Sequence, residues 1–215
     1  TYSAFDIEVG TFQEEALIVQ VKVKEVPNSA ELQQLQERYE AQRVAMETER
    51  EQRLKLEGEK QALLFNPDTI IIRTSWVYSE FGKNFVRTML KLLNDKDEIN
   101  VVNDQLGSPT YAADLAEVIL QIISSGNLPA GRQGWQPGIY HYCNNGVISW
   151  YDLAVAIRKK TGSHCKINPV PTSQYPTAAK RPAYSALDTG KIQQTFNMEV
   201  KDWEKSLAVC LQRLK

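Results

Sequence analysis

No glycines in the chain have the Gly-x-Gly-x-x-Gly spacing, although eleven are present. That spacing builds the tight turn that seats a dinucleotide pyrophosphate on a helix N-terminus, so a dinucleotide turn of that kind is excluded. None of the nine tyrosines has a lysine four residues on. This excludes a phenol acid tuned by an ammonium on the same helix face. Cysteine is sparse: Cys143, Cys165 and Cys210 are odd in number, widely spaced and form no Cys-x-x-Cys pair. A disulfide framework or cysteine zinc site is therefore not expected, and buried reduced thiols are. His141 and His164 have neither carboxylates nor cysteines at ligand spacing, so no metal is expected. No charge sign dominates, with 25 Lys and Arg against 26 Asp and Glu for a net charge of −1. That argues against nucleic acid or a membrane surface as partner. The chain shows no apolar run of about 18 residues and no signal peptide, which makes the cytoplasm the expected compartment.

What is present falls into three stretches. In residues 1–27, apolar and polar residues alternate from Val19 to Val26, as in a half-buried strand, until Pro27 stops it. Asn28 followed by Glu31 reads as a helix start. Residues 29–64 carry no proline and one glycine and are dense in Glu, Gln, Arg, Leu and Ala, which predicts a long helix. A heptad frame through Leu32, Leu35, Tyr39, Gln42, Met46, Glu49, Arg53 and Leu56 is only partly apolar. A solvated helix with charge pairs such as Glu49–Arg53 and a partner-binding coiled coil both stay open. Residues 65–215 read as an α/β unit. Strands are expected at Thr69–Arg73, Ile99–Val102, Ile139–Cys143 and Lys166–Val170. Helices are expected at Asn84–Leu93 (with Phe85, Met89 and Leu92 on one face), Ala112–Ile123, Ser149–Thr161, Lys191–Phe196 and Lys201–Leu214. Gly126–Gly138 reads as a loop.

A series of motifs runs in order through this last part: Lys55-Leu56-Glu57-Gly58-Glu59, Arg73-Thr74-Ser75-Trp76-Val77-Tyr78, Gly82-Lys83-Asn84-Phe85, Val102 to Thr110, Gly138-Ile139-Tyr140-His141, Pro171-Thr172-Ser173, Tyr175-Pro176-Thr177 and Arg181-Pro182. With these, the chain from about Lys55 to Leu214 resembles the dTDP-4-dehydrorhamnose reductase family of extended short-chain dehydrogenase/reductases. The resemblance implies the sugar-nucleotide half of a Rossmann-like α/β fold. It also implies a dTDP-sugar as ligand and NADPH or NADH as hydride donor in the reduction that yields dTDP-L-rhamnose. It carries Trp76 over as an aromatic wall against the sugar, with a plain core tryptophan as the alternative. It places Thr74 and Ser75 at a strand end facing ligand, or simply as strand-end polar residues. Asn84 becomes a nucleotide-sugar contact or a helix cap. Gln105 to Thr110 become a nucleotide loop or a structural turn. Arg181 becomes a bidentate partner for the diphosphate, or a surface ion pair.

The same resemblance identifies Lys55 as the catalytic and cofactor-binding lysine, and the tyrosine expected four residues earlier is replaced by Glu51. A glutamate is ionised at neutral pH and has no proton to donate. Residues 1–54 are too few and wrongly patterned for a βαβαβ cofactor half. The expected organisation is therefore an unrelated strand and long charged helix at 1–54 joined to a nucleotide-sugar-binding half at 55–215. The cofactor is not expected to bind this chain alone. Relatives that hold magnesium do so through a Glu where this chain has Ala113, so that site is not expected either. Three readings follow: a reductase by descent, a non-catalytic dTDP-sugar-binding or helix-mediated interaction module, or an inactive fusion fragment. A strand at Thr69–Arg73 without a neighbour on each side would leave the chain marginally stable or dimeric.

Overall fold

The computed structural model describes residues 6–9, 19–22, 29–126, 135–175 and 181–214. The chain divides into two units, Thr1–Arg50 and Glu51–Lys215. In the first, β1 (Asp6–Val9) pairs antiparallel with β2 (Val19–Lys22), matching Ile7 to Val21. The expected strand is thus present over Val19–Lys22. Its continuation to Val26, the Asn28–Glu31 start and most of the Gly126–Gly138 loop lie outside the described residues. The partner strand β1 was not foreseen. Helix α1 (Ser29–Phe65) begins in this unit and runs for 37 residues, about 55 Å at 1.5 Å per residue. Leu35, Tyr39 and Met46 are exposed on it, and Arg43 pairs with Glu40 at 2.8 Å.

The second unit contains the end of α1 and a chain of short strands and helices. In order these are β3 (Ile70–Arg73), β4 (Val77–Tyr78), α2 (Phe85–Asp95), β5 (Glu98–Val102), β6 (Leu106–Gly107), β7 (Thr110–Tyr111), α3 (Ala112–Gly126), β8 (Gly138–His141), β9 (Ile148–Ser149), α4 (Trp150–Thr161), β10 (Lys166–Val170), α5 (Gly190–Phe196) and α6 (Trp203–Arg213). Three pairings are parallel: β3 with β8, β5 with β10, and β4 with β7. The β6–β9 pair is antiparallel. Parallel strands separated by helices are the signature of an α/β fold.

Local chemistry sets the helix limits. Ser149 and Asp152 form a reciprocal capping box at the start of α4, and Gly162 ends it in the left-handed conformation at φ 71°. Asn84 caps α2 and Asp202 caps α6. The buried face of α2 departs from expectation. Val86, Met89 and Leu93 are buried, while Phe85 and Leu92 are half-buried at the margin of the core. Phe85 is drawn aside by Trp150, 4.6 Å away between ring centroids.

Two cores result. One packs α2, α4 and α6 against β5 and β10 through Val86, Leu153, Ile157 and Leu207. Each of these fully buried side chains contributes about 1.5–3 kcal/mol. The other packs α3 and α5 on β3 and β8 through Val118, Ile122, Tyr140 and Ile192. All three cysteines are free and buried, and burial, with Glu80 nearby, pushes the Cys210 thiol up to about 12, so it stays protonated and inert. Among the described residues no helix is long and apolar enough to cross a membrane.

Candidate functional site

Three chain segments converge on Leu106. Strand β6 pairs on one side with β9, matching Leu106 to Ser149 and Gly107 to Ile148. On the other side Leu106 N–H donates to Ala183 O at 2.8 Å, and Ser185 N–H donates to Leu106 O at 2.8 Å. The first pairing delivers Trp150, the residue after β9, and the second delivers the Arg181–Ser185 segment. A cavity of about 350 Å³ opens between them, lined by Ser75, Trp76, Gln105, Trp150, Arg181 and Ser185, with Pro182 at its side.

The backbone after β3 is fixed to the loop before β7. Thr74 Oγ1 donates to Thr110 Oγ1 at 2.9 Å and Ser75 Oγ donates to Ser108 O at 2.9 Å. Thr110 N–H donates to Trp76 O at 3.2 Å. Thr110 is fully buried and Gln105 nearly so. Gln105 Nε2 donates to Thr172 Oγ1 at 3.0 Å, and that hydroxyl donates to Asp104 Oδ1 at 2.6 Å. The Thr172 hydroxyl and backbone amide together hold the Asp104 carboxyl below its ordinary range.

The indole of Trp76 stacks on that of Trp150, with centroids 3.6 Å apart and planes 12° from parallel. Trp76 lies in the left-handed region at φ 48°. Gly107 has to be glycine for this packing, because a Cβ there would stand 2.6 Å from Trp76 Cε2 and 2.8 Å from Ser185 Oγ.

Of the residues singled out from sequence, Ser75, Trp76, Gln105 and Arg181 therefore share one cavity. Thr74 and Thr110 do not line it, and their hydroxyls bond to each other. Asn84 has its amide engaged elsewhere: it accepts from Arg87 N–H and donates to Ser79 O and Phe81 O at the start of α2. Lys55 is exposed on α1 and does not line the cavity. Glu51 lies one turn before it on the same helix, with its side chain outside the description. Trp150 and Ser185 were not found from sequence. Trp150 reads there as an ordinary helix residue, and only the β6–β9 pairing brings it to Trp76.

A second cavity of about 460 Å³ lies between α3 and α6. It is built around Asp114, a buried carboxylate that accepts from Lys201 Nζ at 3.0 Å, from Asn144 Nδ2 at 2.8 Å and from Ser206 Oγ. Its groups are mutually satisfied, as a structural network would be.

Comparison with known proteins follows the same outline. The chain is 43% identical over 159 residues to a dTDP-4-dehydrorhamnose reductase of Aggregatibacter actinomycetemcomitans, covering 71% of this chain and 53% of that protein. Among solved structures it is similar to a dTDP-4-dehydrorhamnose reductase ortholog of Clostridium acetobutylicum. That match has a TM-score of 0.66 and 38% identity over 74% of this chain and 54% of the other. It is also similar to the Bacillus anthracis dTDP-4-dehydrorhamnose reductase solved in complex with NADP, with a TM-score of 0.60 and 35% identity over 68% and 48% of the two chains. The chain spans about half the length of the curated relatives it matches. It shares their Rossmann-like extended reductase fold in part, and residues 36–215 place it in the family described as RmlD substrate binding domain.

Proposed function

We propose that this chain binds a dTDP-linked deoxysugar, dTDP-L-rhamnose or its 4-dehydro precursor, in the cavity between Trp76 and Arg181. The observation that carries this reading is the convergence of Ser75, Trp76, Gln105 and Arg181 on one cavity from three distant segments. The two indoles line the cavity with apolar aromatic surface suited to a deoxysugar. Arg181 supplies a planar fork of donors for two diphosphate oxygens. Ser75, Gln105 and the backbone of the loop to Thr110 supply hydrogen bonds for the rest of the nucleotide.

The reaction such a pocket serves in the family is reduction of the 4-keto sugar by NADPH or NADH. The residues present do not fit that cofactor. None of the eleven glycines has the spacing of a turn that seats a dinucleotide pyrophosphate. Glu51 stands where a proton-donating tyrosine is required. We therefore assign binding to this chain and no hydride transfer to the chain alone. A missing general acid by itself lowers a rate by about 10²–10⁴-fold. The cytoplasm as compartment, and a second copy or a partner of the long helix α1, belong to the same proposal.

The test is isothermal titration of the full chain with dTDP-L-rhamnose. One-site binding is expected, weakened about tenfold or more in Arg181→Ala, since a hydrogen bond to a charged group contributes about 1.5–3 kcal/mol. Absence of saturable heat at high protein concentration overturns the reading.

A further inference from the structure

Trp76 holds a backbone conformation that a bulky side chain rarely keeps, with φ at 48°. Such strain persists only where the surroundings over-determine it, and it concentrates at ligand sites. Three contacts fix Trp76. Thr110 N–H binds its carbonyl, Gly107 lies against its six-membered ring, and Trp150 stacks on its indole. Trp150 is itself braced from behind by Phe85 at 4.6 Å. The backbone bond determines where the Trp76 main chain runs, and Gly107 leaves room for its six-membered ring. The stack is the contact that determines where the indole plane points.

We propose that Trp150 is a positioning residue. Through the stack it holds the Trp76 indole as the wall on which the sugar ring of the ligand rests, with Gly107 leaving the room that this placement needs. The inference rests on the reading of the cavity as a nucleotide-sugar site. It goes further in separating two parts of that site. The stacked indoles select the sugar, while Arg181 and the Gln105–Thr110 loop hold the nucleoside diphosphate.

The full chain is titrated with dTDP-L-rhamnose and, separately, with dTDP. In Trp150→Ala the affinity for dTDP-L-rhamnose is expected to fall by about tenfold, the upper end for an aromatic contact. The affinity for dTDP should stay within about twofold. Trp150→Phe, which keeps a ring on Trp76, should restore most of the loss. A purely structural role would weaken both ligands in parallel, and that result, or equal affinities in wild type and Trp150→Ala, overturns the proposal.

A second readout needs no ligand. With 5-fluorotryptophan incorporated at the four tryptophans, the Trp76 fluorine resonance, assigned through Trp76→Phe, should shift and broaden in Trp150→Ala while those of Trp135 and Trp203 stay in place. An unmoved Trp76 resonance overturns the positioning role. Should the wild type bind neither ligand, the nucleotide-sugar reading fails, and the fluorine spectrum alone then decides whether Trp150 holds Trp76.

Discussion

Asp114 shows how one side chain ties distant segments together. Its carboxylate, 4% exposed, collects hydrogen bonds from Asn144 after β8, from Lys201 before α6 and from Ser206 within α6. Asn144 in turn accepts from Tyr111 N–H at 2.7 Å. Asp114→Ala removes the acceptor shared by three donors, of which Asn144 Nδ2 keeps Lys201 O and Ser206 Oγ and Lys201 Nζ keeps Glu117, so that the buried Ser206 hydroxyl loses most. It should cost about 2–3 kcal/mol, less than a fully buried pair because Lys201 is half-exposed. The urea midpoint measures this, and an unchanged midpoint contradicts it. Nothing in the sequence singled Asp114 out, since an aspartate in the first turn of a helix reads as dipole compensation. The site residues were legible to different degrees. Ser75, Trp76, Gln105 and Arg181 stood in recognisable motifs. Trp150 and Ser185 did not, because their membership depends on strand pairings between segments far apart in the chain.

The elements themselves were largely readable, because their ends are written in short-range chemistry. Ser149 and Gly162 bracket α4 as capping rules require. Ser149→Ala should cost about 1 kcal/mol, seen as a lower midpoint in thermal melts. Two-residue strands such as β4, β6 and β7 have no periodicity to read. The face of α2 was displaced by a residue because Phe85 turns toward an aromatic neighbour no local pattern announces. One tie between elements responds to pH. Arg73 at the end of β3 binds Glu59 on α1 through two hydrogen bonds, Nε to Oε1 at 2.8 Å and Nη2 to Oε2 at 2.5 Å. The Arg73 guanidinium holds the Glu59 carboxyl below its ordinary value of 4.5. A depressed carboxyl contributes stability that is full above that ordinary value and disappears as pH falls through the folded value. The stability difference between wild type and Glu59→Gln should therefore be full at pH 7 and shrink as pH falls below 4.5, as read by urea unfolding at each pH. A difference that does not decrease as the solution is acidified contradicts the assignment.

At the scale of the whole molecule, β3 is an edge of the parallel pairing as far as the described residues go. Among the described residues β3 pairs with β8 alone, and Ile70, Ile71 and Ile72 are only half-buried. On α3, Leu120 and Ile123 are exposed as well. An open parallel edge carrying isoleucines invites pairing with another chain. We expect light scattering at micromolar concentration to report dimers or larger species, and a monodisperse monomer would count against this. The same pairing has a consequence in time. Strand β3 has no described partner until β8, beyond α2 and α3, has been synthesised. At about 5–20 residues per second, its three isoleucines wait on the order of ten seconds for that pairing. Strand β5 waits similarly for β10. A nascent chain of this protein thus passes through an interval in which its stickiest segments exist before the surfaces that bury them. Its yield in a cell should follow the rate of translation and the supply of chaperones as closely as it follows the stability of the finished fold.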